Sequence, residues 1–532
     1  MSTDKKQSFM KGALILMIAN ILVKIIGAVF KIPLNHLLGD EGMGYFGIAY
    51  TVYNWLFIIA TAGIPVAISK MVAESRAKGN NGQIKRIFKV SFCVLTIIGV
   101  AGFMFLYFGA DFCADKMASP AAATGIRALA PAIFFVALMS VFRGYFQGHQ
   151  DMVPTAVSEV CEAVGKLVIG YGAAYLLISR GVQQASAGAV FGVSAGGFFA
   201  LISLAVIYFV KNKRSAGMHI TDSKASKSVG EIVSELIKIS IPITVGASVF
   251  SLTSIIDASM IMRRLQSAAG FDYEHANLLW GAYSGKTITM FNLVPTLITA
   301  ISISIVPTIA SAFALRDISK ACKATEGSLK ITVLLTLPCS VGMAILAGPI
   351  VQLVFNSVSA QATLSILGYG IIFVSLVSLT NAILQSTGHT VLPVIHMVAG
   401  GVVKIIVNYF LVGNPDINIK GAPIGTIICY AVILILNLIS IKRIMNIRYR
   451  VSALVLKPVI SVIAMAAAVL AVYNLVSPIS GSLATLVSIG AGGIVYLAVL
   501  FVSGGVTSED IAMIPKGEKL SPVLKKFRLI KE

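Results

Sequence analysis

Long apolar runs and short polar connectors alternate along the chain from end to end. Each run is close to the ~20 residues that a helix needs to cross a bilayer, and none shows the shorter alternating pattern of barrel strands. The pattern predicts an all-α polytopic membrane protein with about fourteen transmembrane helices. The predicted spans are 12–34, 44–68, 88–108, 125–146, 155–179, 186–210, 239–261, 285–312, 329–350, 363–385, 391–412, 422–441, 454–474 and 482–503.

An internal repeat divides the chain. The segments Ile133–Gln147 (IFFVALMSVFRGYFQ) and Ile371–Gln385 (IIFVSLVSLTNAILQ) are identical at six of fifteen positions, and 63–74 resembles 304–313 in the same order. Two homologous six-helix bundles related by a pseudo-two-fold axis along the membrane normal are therefore expected. The predicted domains are an N-terminal half 1–210, a cytoplasmic linker 211–238, a C-terminal half 239–443, two additional transmembrane helices in 444–505 and a basic cytoplasmic tail 506–532.

Composition and charge agree with a membrane protein. Apolar residues make up 57% of the chain and charged residues only 12%, whereas soluble domains carry about 25% charged residues. The 42 Lys and Arg outnumber the 22 Asp and Glu, which gives a net charge of +20. Most of the basic residues lie in loops and tails that the positive-inside rule assigns to the cytoplasm, with both termini. This distribution explains the charge without nucleic acid and predicts attraction to anionic phospholipids.

Signatures of chemical catalysis are missing from the sequence. The six cysteines form no C-x-x-C pair and no Cys/His cluster, which argues against a metal site or a disulfide scaffold. There is no phosphate-binding G-x-x-x-x-G-K-[ST] loop. The apolar run behind Met1–Lys11 continues past twenty residues, so it is interpreted as a first span and not as a cleaved signal peptide. We expect no catalytic residues, no metal and no cofactor.

Ionisable residues at membrane depth are the candidate site, because burying them is costly. In the first span Asn20, Lys24, Gly27 and Lys31 are spaced to share one helical face. Lys24 lies roughly 18 Å from the inner end of that span, near the midplane. These residues either line a cationic cavity that binds substrate, or Lys24 is one half of a buried ion pair and Lys31 extends to the outer surface.

Other intramembrane charges have two interpretations each. Lys286, in the polar segment GAYSGKTITMFN, is either a second substrate-binding cation or an interfacial lysine. Asp257 either balances a cavity lysine or binds a coupling cation. The remaining candidates for coupling or counter-charge are Glu159, Glu162, Lys166 and Lys404, for which interhelical charge pairs are the simpler interpretation. Glu162 and Lys166 can pair within one helix. The turn with Arg143, Gln147, His149 and Asp151 is expected to shape a loop.

Two stretches carry a family resemblance: KIIGAVFKIPLNHLLGDEGMGYFGIAY (24–50) and RGYFQGHQDMVPTAVSEV (143–160). They resemble the stage V sporulation protein B branch of polysaccharide exporters. That branch is similar to the MurJ-like lipid II flippases of the MOP (MATE-like) superfamily. The resemblance covers most of the chain, including the fourteen spans and the two halves.

The resemblance implies an alternating-access flippase in the bacterial plasma membrane. It would move an undecaprenyl-pyrophosphate-linked cell-wall precursor, similar to lipid II, from the inner to the outer leaflet. Lys24, in VKIIG, stands where those flippases have an arginine, and Lys286 corresponds to their cation on the eighth span. The resemblance further implies coupling to the membrane potential, Na⁺ or H⁺, and partnership with cell-wall synthesis enzymes. Because Lys replaces Arg, another polyprenyl-linked polysaccharide unit, of sporulation or capsule, is an alternative substrate.

Two rival functions make different demands on the sequence. A MATE-type cation-coupled multidrug antiporter needs carboxylates in its cavity, and the first span has lysines and no Asp or Glu. A membrane scaffold for wall-synthesis enzymes would need neither midplane lysines nor a pseudo-symmetric pair of bundles.

The charge distribution predicts that the loops 69–87, 211–238 and 442–453 are cytoplasmic, because their Lys/Arg excess resists translocation. In a cysteine-free background, Lys224→Cys should therefore resist an impermeant thiol reagent added to intact cells, whereas Asp115→Cys should react. Labelling of Lys224→Cys from outside would overturn the orientation.

Overall fold

The computed structural model describes residues 3–215, 227–296, 298, 309–313, 315–447 and 456–505. Within these ranges the chain is almost entirely helical and contains no strand, as expected for an all-α membrane protein. It forms two compact units, Met1–Gly285 and Lys286–Glu532.

The first unit contains nine helices among its described residues. They are α1 Thr3–Thr61, α2 Ile64–Ala77, α3 Asn81–Phe108, α4 Ala110–Lys116, α5 Ala123–Gly148, α6 Val153–Leu177, α7 Val182–Ser215, α8 Val229–Ser267 and α9 Tyr273–Gly281. A π-helical segment, Ala282–Thr287, follows α9. The described helices of the second unit are α10 Ile288–Phe291, α11 Ile318–Ile345, α12 Ala347–Phe355, α13 Gln361–Leu367, α14 Gly370–Ser386, α15 Val391–Val412, α16 Gly421–Met445, α17 Lys457–Val476 and α18 Gly481–Val502.

Helix α1 is long enough for two membrane crossings. Its 59 residues would extend about 89 Å as one straight helix, close to three times the ~30 Å hydrocarbon core. The helix breaks at Gly39, whose φ of 62° is a left-handed value that glycine adopts without a steric penalty. The break separates the predicted spans 12–34 and 44–68.

Small residues bring helices of the first unit into backbone contact. Gly165 of α6 packs on Gly196 of α7, and Gly170 of α6 packs on Gly192 of α7. A β-carbon on Gly192 would collide with the backbone of Gly170 and the carbonyl of Lys166. In a membrane, such close approach replaces the hydrophobic effect as the source of helix association. Helices α6 and α7 therefore form a tight pair that fixes the position of Lys166.

The second part of α1 packs against α9 in the same way. A β-carbon on Gly281 would collide with the carbonyl of Asp40, and one on Gly44 would collide with Asn277. Asn277 also donates a 2.9 Å hydrogen bond from Nδ2 to the carbonyl of Glu41. Helix α8 packs on α1, α2 and α3, so α8 and α9 belong to the first compact unit.

In the second unit, helices α13 and α14 form a span bent by 45°. The hydroxyl of Ser340 donates a 2.8 Å hydrogen bond to the carbonyl of Gly368 at the break, which satisfies a backbone group that the bend frees. Helices α17 and α18 pack on α11 and α12. The hydroxyl of Tyr496 on α18 donates a 2.8 Å hydrogen bond to the carbonyl of Leu334 on α11.

Ten helical stretches in the described ranges are long and apolar enough to span a bilayer, or eleven with the bent pair. Their outer surfaces expose large apolar side chains, such as Phe108, Leu176 and Ile494. The chain is therefore a multi-pass membrane protein. The count of fourteen spans is not confirmed, because one counted stretch, Ile18–Ala77, includes the Gly39 break and because 285–312 lies partly outside the described residues.

The compact units meet at Gly285 and Lys286 in the sequence, whereas the predicted linker is 211–238. The compact units are defined by contacts, whereas the predicted halves are defined by a sequence repeat, so the two boundaries need not coincide. The division into homologous halves stays a prediction. Most of that linker, the tail 506–532 and residues 304–308 of the upstream repeat match lie outside the described residues.

We expect Gly192→Ala to destabilise the first unit by about 1–3 kcal/mol, because the added methyl group meets backbone atoms that cannot change rotamer. Gly172→Ala is the matched control, since a β-carbon there meets no described atom within 4 Å. The thermal unfolding midpoint of each variant in detergent checks this. Equal midpoints for the two variants would contradict the close packing of α6 and α7.

Candidate functional site

The first part of α1 has three distinct faces. Ala19 and Phe30 are buried against the bundle, whereas Ile18, Leu22, Ile25 and Val29 form an exposed apolar face. At 100° per residue the positions of Asn20, Lys24, Gly27 and Lys31 lie about 180° away from that apolar face. We call these four residues the α1 polar stripe. Since the apolar face is suited to contact with lipid tails, the α1 polar stripe on the opposite side points away from the lipid.

The α1 polar stripe is open around its centre. Asn20 and Lys24 are exposed and Lys31 is half-buried. A β-carbon on Gly27 would meet no described atom within 4 Å. Asn20 donates a 3.0 Å hydrogen bond from Nδ2 to the carbonyl of Leu16. Among the described residues, no carboxylate lies within ion-pair distance of Lys24, so its ammonium group is available to an anionic ligand.

A second cation lies close to Lys31. The Nζ atom of Lys166 on α6 is 4.5 Å from the ring centroid of Tyr50 and 5.3 Å from that of Phe30, which are cation–π distances. Lys166 is also within electrostatic range of Lys31. The aromatic rings stabilise the Lys166 ammonium group without cancelling its charge, so two positive charges persist in one region of the unit.

Glu162 pairs with Arg143 of α5 and not with Lys166. The guanidinium Nη2 is 3.0 Å from the Glu162 carboxylate, and Nε donates a 3.1 Å hydrogen bond to the hydroxyl of Ser158. Both ionic side chains are largely buried, so the pair is an interhelical link between α5 and α6. Glu159, one turn before Glu162, has a buried Oε2 atom without a hydrogen-bond partner among the described residues.

The loop after α5 is held mainly by contacts to α2 and α7. Arg76 donates to the carbonyl of His149, and the Nδ1 of His149 donates a 2.9 Å hydrogen bond to the carbonyl of Tyr145. Asp151 forms an ion pair with Lys211. Burial lowers the pKa of His149 below its ordinary value.

Lys286 lies in the second unit and is 4% exposed. Its Nζ donates hydrogen bonds to the hydroxyls of Ser357 and Ser359, at 2.9 and 3.0 Å. Lys286 lies in the π-helical turns of Ala282–Thr287, a geometry that is frequent at functional sites. In this conformation Lys286 is bound by the loop after α12.

The other predicted charges are dispersed. Asp257 of α8 is buried in the first unit, and Lys404 of α15 is half-buried in the second. Three hydroxyl residues lie near Asp257 in the sequence. The described residues include the side chains of Ser251 and Ser254, and that of Thr253 lies outside them. The structure therefore brings Lys24, Lys31 and Lys166 together in one unit, while Lys286 and Lys404 belong to the other. Across the described residues, no cluster of His, Cys, Asp or Glu could hold a metal ion.

Sequence reasoning missed a buried polar network in the second unit. His396 of α15 is 7% exposed, and its Nδ1 lies 2.7 Å from Oδ1 of Asn437 on α16. The signal was available, because His396 is a titratable residue inside an apolar span, which is the criterion that singled out Lys24.

The fold and the site define a class: a polytopic transport protein built from helical bundles, with an open cationic stripe on its first helix. The chain belongs to the family described as "Polysaccharide biosynthesis protein", whose model matches residues 9–314. The resemblance drawn from residues 24–50 and 143–160 is thereby confirmed.

Relatives and solved structures agree with this membership. The chain is similar to three proteins of Bacillus subtilis: the uncharacterized membrane protein YabM (28% identity; 98% of each chain), the stage V sporulation protein B (25%; 84% of this chain and 86% of that one) and the lipid II flippase MurJ (27%; 83% and 84%). An inward closed structure of the lipid II flippase MurJ matches with a TM-score of 0.70 at 14% identity, over 92% of this chain and 98% of that one. An inward-facing multidrug resistance MATE family transporter of the MOP superfamily matches at 0.65 and 16%, over 81% and 94%. These structures confirm the predicted MATE-like fold.

We expect Glu162→Gln to destabilise the protein by about 1.5–3 kcal/mol, because Arg143 loses a charged hydrogen-bond partner inside the bundle. Glu74→Gln is the control, since its 4.0 Å pair with Lys70 is exposed and such pairs contribute about 0–1 kcal/mol. Thermal unfolding midpoints in detergent measure both. A larger loss in Glu74→Gln would show that the Arg143–Glu162 link does not hold α5 to α6.

Proposed function

We propose that this protein is a flippase for a lipid-linked, pyrophosphate-bearing glycan precursor of the bacterial cell wall, similar to lipid II. It acts in the plasma membrane, with both termini in the cytoplasm, and moves its substrate from the inner to the outer leaflet. The observation that carries the proposal is the α1 polar stripe, whose exposed Lys24 lies on the opposite side of the helix from the lipid-facing apolar residues.

The charges suit a pyrophosphate. An anion inside the membrane needs compensating positive charge, and one ion pair at 4 Å contributes about 4 kcal/mol at an effective dielectric constant of about 20. Lys24 and Lys31 would each contact phosphate oxygens, while Lys166 adds positive potential from α6. Lysine binds phosphate as a point charge.

The shape of the site suits a glycan on a lipid tail. Gly27 leaves open space between Lys24 and Lys31, and Asn20 adds amide groups for sugar hydroxyls. The apolar face of α1, with Leu22 and Ile25 exposed, would accompany the polyprenyl tail in the lipid phase. One helix would thereby present a polar and an apolar surface to the two parts of one amphipathic substrate.

The relatives support this substrate class over a drug. One relative is named a lipid II flippase and another a stage V sporulation protein, and the family is described by polysaccharide biosynthesis. A MATE-type multidrug antiporter is disfavoured, because the α1 polar stripe offers lysines where a cationic drug needs carboxylates. The use of lysine instead of arginine at position 24 keeps another polyprenyl-linked polysaccharide unit as the alternative substrate.

The remaining candidates have supporting roles in this proposal. Lys286 acts as a second substrate cation once it releases Ser357 and Ser359. Asp257 and Glu159 balance positive charge during the cycle, and Lys404 contributes charge in the second unit. Basic loops bind anionic phospholipids, and the membrane potential, Na⁺ or H⁺ drives transport. Cell-wall synthesis enzymes are the expected partners.

We expect Lys24→Ala and Lys24→Gln to abolish transport, because the pyrophosphate loses its exposed counter-charge. Lys24→Arg should keep part of the activity, since the charge stays while the geometry changes. All three variants should fold, with changes in unfolding free energy within about 0.5 kcal/mol, because Lys24 is exposed. Complementation of a bacterium depleted of its lipid II flippase, with membrane abundance measured in parallel, tests this.

Lys78→Ala is the matched control, because Lys78 is exposed on a loop outside the α1 polar stripe and should complement fully. Full rescue by Lys24→Ala at normal abundance would refute the cationic site. Loss of the Lys24→Ala protein from the membrane would favour a structural ion pair. Failure of the wild type itself to complement would reject lipid II and leave another polyprenyl-linked glycan to be tested by the same variants.

A further inference from the structure

The second unit contains a largely buried network of five polar side chains, of which Asn381 and Ser440 are half-buried, and the substrate site does not use it. It joins three helices: Thr380 and Asn381 on α14, His396 on α15, and Asn437 and Ser440 on α16. Thr380 and Asn437 are fully buried and His396 is 7% exposed. Apolar residues surround the network, including Val377, Ile433 and Met397.

The hydrogen bonds fix the orientation of the Asn437 amide. The hydroxyl of Thr380 donates to the carbonyl of Leu376 at 2.8 Å, so its oxygen accepts from Asn437. The same Nδ2 of Asn437 donates to Oδ1 of Asn381 at 2.8 Å. Oδ1 of Asn437 therefore faces His396 as an acceptor, and Nδ1 of His396 must carry a hydrogen to donate across the 2.7 Å contact.

This leaves Nε2 of His396 as the variable position. It lies 3.4 Å from the hydroxyl oxygen of Ser440. Neutral Nε2 accepts a hydrogen bond from that hydroxyl, whereas protonated Nε2 donates to the same oxygen after the hydroxyl turns. The network satisfies both protonation states of the imidazole without breaking a contact.

We propose that His396 is a reversible proton-binding site of the second unit, and that its occupancy is coupled to transport. A proton from water binds the lone pair of Nε2, the hydroxyl of Ser440 changes from donor to acceptor, and the network gains one positive charge. Because that charge sits among apolar side chains, it favours conformations in which water reaches the network. The coupling rests on the transport function proposed above, whereas the proton site itself does not.

Helices α14, α15 and α16, which carry the network, supply no acidic partner for the imidazolium, whereas α11, which packs on α14 and α16, carries Lys320, Lys323, Glu326 and Lys330. Helix α14 carries no titratable side chain, and α16 carries Cys429, Tyr430, Lys442 and Arg443. Lys442 and Arg443 are exposed, two and three residues beyond Ser440. On α15 itself, Lys404 lies two turns from His396 and Tyr409 lies further along, while Lys420 is in the short helix Asn418–Lys420 that also packs on α15. His389, just before α15, is exposed.

The first test measures the proton directly. The full-length protein, labelled with ¹⁵N in its histidines, is titrated by NMR in detergent, and His396→Asn assigns the resonance by its disappearance. Asparagine keeps a donor near the Nδ1 position and removes the titration. We expect His396 to be the Nδ1–H tautomer at high pH and to gain a proton on Nε2 as the pH is lowered. Absence of any protonation of Nε2 while the protein stays folded would overturn the proposal and identify a purely structural histidine.

The second test measures coupling, with lipid II as the probe in reconstituted vesicles. A pH difference of one unit across the membrane should change the wild-type rate by up to about tenfold. This is the factor that corresponds to the free energy of moving one proton down that gradient. His396→Asn should lose this dependence and keep its rate without a gradient, whereas the control His389→Asn should behave as the wild type. Ser440→Ala should weaken proton binding, because the protonated Nε2 loses its acceptor.

Failure of the proposed transport function and failure of the proposed coupling through His396 give different results. If the wild type moves no lipid II, the proposed substrate is wrong, while the NMR titration still decides the proton site. If the wild type moves lipid II and the rate of His396→Asn keeps its dependence on the gradient, the coupling through His396 is overturned.

Discussion

The energetic cost of charge in a low-dielectric membrane governs how this structure is arranged. A charged side chain at the bilayer centre costs about 2.5–3.5 kcal/mol by insertion scales and must find compensation. The protein uses a different solution for each cation. Lys166 rests on aromatic rings, Arg143 pairs with Glu162, and Lys286 binds two serine hydroxyls. Among the described residues, Lys24 differs from these three cations because its ammonium group is exposed and no carboxylate lies within ion-pair distance, which points to a ligand.

Close helix packing makes these placements precise enough to matter. The glycine contacts between α6 and α7 hold the α6 backbone, and Lys166 projects from that backbone onto Tyr50. The same helix carries Glu162, which holds Arg143 of α5. Because rigid neighbours determine the position of each charge, the positive region around Lys31 is built by packing and does not depend on flexible surface side chains.

Much of this could be predicted from the sequence, and the rest required tertiary contacts. Apolar run length located the helices well, and the predicted span 391–412 has the bounds of α15. Helical periodicity placed Asn20, Lys24 and Lys31 on one face. Local spacing could not choose between Lys166 and Arg143 as the partner of Glu162, because Arg143 lies on another helix. The network around His396 likewise joins three helices, and only its histidine stands out in the amino-acid sequence.

In the proposed transport cycle, the positive charge of the α1 polar stripe determines how the membrane potential can drive transport. A membrane potential, negative inside, favours the outward movement of an anion by about 2.3 kcal/mol per charge per 100 mV. The empty site carries the ammonium group of Lys24 without its phosphate, and the same potential draws that charge back toward the cytoplasm. With the anion neutralised by the lysines of this stripe, the loaded half-cycle would be close to electroneutral and the potential would drive the return of the empty cationic site, whereas an acidic site would oppose the potential in its empty state. The proton site proposed at His396 in the second unit would add a proton to this cycle without placing a permanent charge in the membrane.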